Sequence, residues 1–150
     1  MPEVTFYVLN SESLYDRYLF ACKLIEKVYN SGKFCYVLLD SIEQCQRLDD
    51  MLWTFRAGSF IPHQIFNGVP PKITSQILLG TQNPPADWRT VIFNLSSQMP
   101  EIWQQAERIL EILDNGETTK MAGRERYRIY KNTGIKIETN KNENGVWIKM

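Results

Sequence analysis

The sequence has one histidine, His63, and three cysteines, Cys22, Cys35 and Cys45, with no CxxC pair among them. A single histidine excludes a two-histidine metal site and would force any histidine-based triad through that one residue. An odd, widely spaced set of cysteines argues against a disulfide framework or a zinc site and suits small buried hydrophobes in a reducing compartment. No apolar run approaches the ~18 residues of a membrane span. The opening MPEVTFYVLN lacks the layout of a secretory signal, so a soluble, cytoplasmic chain is expected. There is no excess of charge either: Lys+Arg 17 balance Asp+Glu 17, which argues against general affinity for nucleic acid. The eight glycines are scattered, with neither GxG spacing nor a GxxxxGK[ST] loop to cradle a phosphate. What is present is ordinary for a globular protein: 150 residues, 43% hydrophobic and 23% charged, enough for one core without disulfides or metal. A single domain over residues 1–150 is expected.

Val4–Leu9 (VTFYVL) is β-branched and aromatic and reads as a strand. Leu14, Tyr18, Ala21, Cys22, Ile25, Val28 and Tyr29 then trace one face of a helix, ended by Ser31-Gly32. Phe34–Leu39 is a nearly unbroken apolar run, as in a strand covered on both faces. Ser41 and Gln44 form a capping box for a helix with Ile42, Cys45, Leu48, Leu52 and Phe55 inward. Ile73–Leu79 and Val91–Leu95 read as strands on either side of a breaker-rich loop, Gly80–Asp87. Pro100 is expected to open a helix carrying Ile102, Trp103, Ala106, Ile109, Leu110 and Leu113. A further helix is expected over Thr118–Lys131, with short strands at Gly134–Glu138 and Val146–Lys149. Alternating strands and helices predict a three-layer α/β/α domain on a mainly parallel sheet.

Catalytic groups are scarce. His63 follows a proline in an expected loop, with no matched nucleophile beside it, and reads as a turn histidine bonded to backbone. Asp49-Asp50 point in different directions on a helix, and Cys35 lies in an apolar strand that raises a thiol pKa. An enzymatic or nucleotide-binding alternative would have to use the strand ends near Asn10 and Asp40.

Two surfaces suggest binding instead. Lys120, Arg124, Arg126, Arg128, Lys131 and Lys136 crowd a stretch with only one acid, Glu125. Lys120, Arg124, Tyr127, Arg128 and Lys131 share one face of the expected helix. A solvated face, a nucleic-acid backbone site and a site for an acidic peptide all fit such a stripe. One focused patch on a neutral chain suits a short acidic ligand best. The second surface is Met51–Phe66 (MLWTFRAGSFIPHQIF), with more large apolar groups than a helix end and loop need. Leu52 and Phe55 are assigned to the core, while Trp53 and Phe60 suit either core or interface.

Several segments, in order along the whole chain, resemble the chi subunit family of bacterial DNA polymerase III holoenzyme. They are the TFYVL strand, Gly32-Lys33, Arg47-Leu48-Asp49 leading to Leu52-Trp53, Ser59-Phe60-Ile61-Pro62-His63, and Arg124-Glu125-Arg126-Tyr127 with Tyr130. The resemblance implies a nucleotide-binding-like fold without catalysis or cofactor. It implies an accessory subunit of the clamp loader that pairs with the psi subunit and binds the acidic C-terminal tail of single-stranded-DNA-binding protein. Carried over by motif, the tail site comprises Lys120, Arg124, Tyr127 and Arg128 with Leu113. The psi-facing site comprises Trp53, Phe60 and Pro62.

Overall fold

The computed structural model describes residues 2–69, 71 and 76–150. β1 (Glu3–Val8) leads into α1 (Leu14–Asn30), β2 (Cys35–Leu38) and α2 (Ile42–Thr54). β3 (His63–Ile65), β4 (Ile77–Gly80), β5 (Val91–Asn94) and β6 (Arg108–Leu113) follow, then α3 (Glu117–Asn132), β7 (Ile137–Glu143) and β8 (Val146–Lys149). The strands form one eight-stranded sheet in the order β3-β4-β2-β5-β6-β1-β7-β8. Every pairing is parallel except β7 with β8. The three-layer α/β/α architecture expected from the sequence is therefore present.

α1 and α2 each start where the sequence supplies an acceptor for a free backbone N–H, whereas α3 starts at Gly116 with no side-chain cap. Ser13 Oγ accepts from the Asp16 N–H at 3.2 Å, and Ser41 Oγ from that of Gln44 at 3.2 Å. Gln44 Oε1 returns to the N–H of Asp40 at 2.9 Å, so the expected box closes one residue further out. Gly32, at φ +82°, lets the chain leave α1 through the left-handed region.

The core lies on both sides of the sheet. α1 and α2 cover one face with Tyr18, Ile25, Leu48 and Leu52 over Val37, Leu79, Phe93 and Ile112. The other face carries α3 and two short 3-10 turns, whose Tyr130, Trp103 and Trp88 pack over Phe6, Ile109 and Leu78. This second layer is thin, and where α3 ends the sheet edge is open.

Four expectations need correction. Ile42, expected inward, stands in the first turn of α2 and is 47% exposed, so the buried side of that helix begins at Cys45. The helix expected from Pro100 is a 3-10 turn (Trp103–Gln105) followed by β6. Ile109–Leu113 is an apolar run compatible with either period, and its place between β5 and β1 buries both faces, which only a strand can exploit here. His63 lies not in a loop but at the start of β3, a three-residue edge strand within the Pro/Gly-rich stretch. The terminal strand expected at Gly134–Glu138 begins later and runs longer, as β7. Ile77–Gly80 forms the strand expected from Ile73, whose first part lies outside the described residues.

Candidate binding groove

α3 is held to the sheet by a buried charge. Gly123, Arg126 and Tyr130 face inward. Arg126 Nε lies 3.0 Å from both carboxylate oxygens of Glu111, in the middle of β6, and its Nη2 lies 2.9 Å from Oε1. Tyr130 Oη donates to Glu111 Oε2 at 2.8 Å and Asn94 Nδ2 donates to it at 3.1 Å. Glu111 is wholly buried and Arg126 nearly so. Burial first, and the Glu111 charge second, push the Tyr130 hydroxyl far above its ordinary value. Neither Nη nitrogen has an aligned acceptor among the described residues, so Nε and charge hold the pair. Arg126 therefore does not belong to the basic surface, although sequence charge counting placed it there. A glutamate inside the apolar run RILEIL was the available signal, since a lone buried carboxylate requires a partner.

Above this anchor α3 runs very close to β6. A Cβ placed on Gly123 would come within 2.5 Å of Leu113 Cδ1. The close approach leaves a groove of about 410 Å³ between α3 and the β7–β8 hairpin. Phe6, Val8 and Leu113 supply its apolar surface, Lys120, Arg124 and Tyr127 the helix side, and Thr139, Lys141 and Met150 the hairpin side. Tyr127 packs edge-on against Phe6 at 5.7 Å. Lys120 is tethered to Glu117 at 3.4 Å, whereas Arg124 has no ionic partner among the described residues. The structure thus brings together Leu113, Lys120, Arg124 and Tyr127. Leu113 joins them from a strand rather than the expected helix. Arg128 stands apart, outside the groove and paired with Glu125 at 3.4 Å. Lys141 and the hairpin wall were missed, because nothing local in IETNKNE announces which helix it will face.

The Met51–Phe66 stretch divides cleanly. Leu52, Ile61 and Phe66 are buried, and Phe55 packs against the core from a half-buried position. Trp53 and Phe60 are 46% and 70% exposed, with ring centroids 5.7 Å apart, and Pro62 beside them is half-buried. His63 lies under Trp53 at 4.3 Å. Its Nδ1 is 2.7 Å from the Ile61 carbonyl, and its Nε2 lies 3.1 Å from Asp49 Oδ1. That is the backbone-bonded histidine expected from the sequence, with one carboxylate contact added.

Of the strand ends that might serve an enzyme, the one near Asp40 is occupied by its own side chains, whereas Asn10 borders a small polar pocket with Asn115, Lys141, Glu143 and Asn144. Asp40 accepts from both the N–H and the hydroxyl of Ser97 at 3.0 Å, and Ser96 Oγ donates to Asn94 Oδ1 at 2.6 Å. Burial raises the Cys45 thiol to about 11 and the Cys22 thiol to about 12, and holds Cys35 well above its ordinary value. Among the described residues no cluster suits a metal ion, and no helix is long and apolar enough to cross a membrane.

Fold and groove together define an α/β domain of the nucleotide-binding-like class that opens between a helix and a hairpin, not at a phosphate loop. Residues 1–138 match the family model of the DNA polymerase III chi subunit, HolC, and the chain belongs to that family. It is 29% identical over 138 residues to the DNA polymerase III subunit chi of Pseudomonas aeruginosa, covering 92% of this chain and 95% of that protein. Its counterpart in Escherichia coli is 23% identical over 143 residues, covering 93% and 97%. That of Haemophilus influenzae is 25% identical over 137 residues, covering 89% and 93%.

Proposed function

We propose that this chain is a non-catalytic adaptor of the replication machinery in the cytoplasm. Its groove takes the acidic C-terminal tail of single-stranded-DNA-binding protein, and its Trp53–Phe60–Pro62 surface docks the psi subunit of the clamp loader. The observation that carries the reading is the groove itself. An apolar pocket of Leu113, Phe6 and Tyr127 lies directly beside Lys120 and the unpaired Arg124. A peptide ending in an aromatic residue and several carboxylates needs that combination. The ring leaves water on the apolar side, while the guanidinium takes a carboxylate through two parallel N–H donors, which a lysine cannot offer. The reading requires neither cofactor nor metal. His63 and the three thiols have structural roles within it.

The test is titration of a labelled acidic tail peptide by fluorescence anisotropy. Loss of one charge-assisted contact costs ~1.5–3 kcal/mol, so Arg124→Ala should weaken binding about 10- to 150-fold. Arg124→Lys should fall between that variant and the wild type. Arg128→Ala, outside the groove, should change affinity less than about threefold, as expected of an exposed ion pair. All affinities should fall as salt rises. Equal affinity of wild type and Arg124→Ala would place the tail elsewhere.

A further inference from the structure

The match to the family ends at residue 138, and the chain beyond it forms most of β7 and all of β8. Their antiparallel register sets Lys141 opposite Ile148 and Glu143 opposite Val146. The Met150 N–H reaches the Thr139 carbonyl at 2.7 Å. Residues facing each other across an antiparallel pair project from the same side of the sheet. Since Thr139, Lys141 and Met150 line the groove, Val146 and Ile148 stand on the groove side too. They are 62% and 43% exposed, because the helical layer stops at α3. On the opposite side Trp147 packs against Tyr7 at 5.8 Å and Phe20 at 5.0 Å, so the hairpin is anchored to the sheet. The groove thus continues, past a lysine, onto an anchored strand that shows water a row of aliphatic side chains.

We propose that this row extends the peptide groove. It takes the segment just upstream of the acidic-aromatic end of a bound tail, one in which aliphatic side chains alternate with carboxylates. The proposal rests on the groove reading given above. An extended peptide presents alternate residues to one side, a spacing that matches Val146 and Ile148, themselves two apart on β8. Charge favours an acidic peptide over a second copy of the chain. The surface adjoining the row carries Lys120, Arg124 and Lys141 against one acid, Glu143, which lies opposite Val146 and 3.7 Å from Lys141, and a second copy would set that excess of cations against itself.

The experiment compares two labelled probes by anisotropy. The short probe is three aspartates followed by phenylalanine, and the long one is the same peptide preceded by Ile-Asp-Ile-Asp. Wild type should bind the long probe about tenfold more tightly than the short one, the gain from partly burying two aliphatic side chains. The double variant Val146→Thr/Ile148→Thr keeps β-branched residues on the strand. It should lose that gain while binding the short probe within about twofold of wild type. No gain in wild type, or a gain that survives in the double variant, overturns the extension. If the short probe still requires Arg124 in that case, the groove reading stands without it. A short probe that ignores Arg124→Ala removes both. Sedimentation showing a wild-type dimer that the double variant abolishes would assign the row to a second copy and overturn the proposal.

Discussion

Arg126→Met tests the buried anchor under α3. The substitution keeps an unbranched side chain in the space but removes the guanidinium from Glu111. The carboxylate is left wholly buried, with the Tyr130 hydroxyl and the Asn94 amide as its remaining donors among the described residues. Removing one partner of a buried ion pair costs ~3–5 kcal/mol, mostly the cost of the uncompensated charge that remains. For a chain of this length one kcal/mol moves Tm by about 2–4 °C, so Tm should fall by about 6–20 °C. The cause is separable from lost packing. Glu111→Gln/Arg126→Met removes both charges while keeping an acceptor for Tyr130, and it should recover most of the loss. Thermal melts followed by circular dichroism and urea unfolding measure both variants. A drop below about 3 °C for Arg126→Met, or a double variant no more stable than the single one, would refute the argument. Glu111 would then be hydrated rather than held as a buried charge.

Phe60→Ala should lower stability by less than about 1 kcal/mol, against ~3–5 kcal/mol for a core phenylalanine, while abolishing co-purification with psi. A large fall in Tm of the isolated chain would show that Phe60 supports the core instead. The thiols predict a pH dependence. Native burial keeps Cys22, Cys35 and Cys45 protonated up to about pH 11, whereas an unfolded thiol ionises near about 8.5. The unfolded chain therefore releases protons first as pH rises, so this stability is fully present below about pH 8.5 and declines above it. The buried hydroxyls of Tyr18, Tyr36 and Tyr130 act in the same direction. The urea midpoint should be lower at pH 10 than at pH 7.5, and thiol reagents should react slowly with the native chain at both. An unchanged midpoint, or rapid labelling without urea, would show that the thiols are not buried as described.

The sequence by itself determined the elements whose signal is local. The helical periods from Leu14 and Thr118, the Ser41 cap, the Gly32 exit and the strands at Val4, Phe34 and Val91 follow from neighbouring residues. So does the stripe of Lys120, Arg124 and Tyr127 on one helix face. Tertiary structure decided what depends on residues distant in the chain. Ile109–Leu113 is a strand because β5 and β1 flank it and bury both its faces, not because of its own pattern. Arg126 is an anchor rather than a surface cation because Glu111, on that strand, lies beneath it. Leu113 reaches the groove from below because Gly123 lets α3 approach closely. Lys141 faces Lys120 and Arg124 only once β7 has paired with β1. Helix periods and caps are set within a turn or two of chain, where every partner is a sequence neighbour. A buried charge pair and a groove wall need surfaces from separate segments, and only packing brings those together.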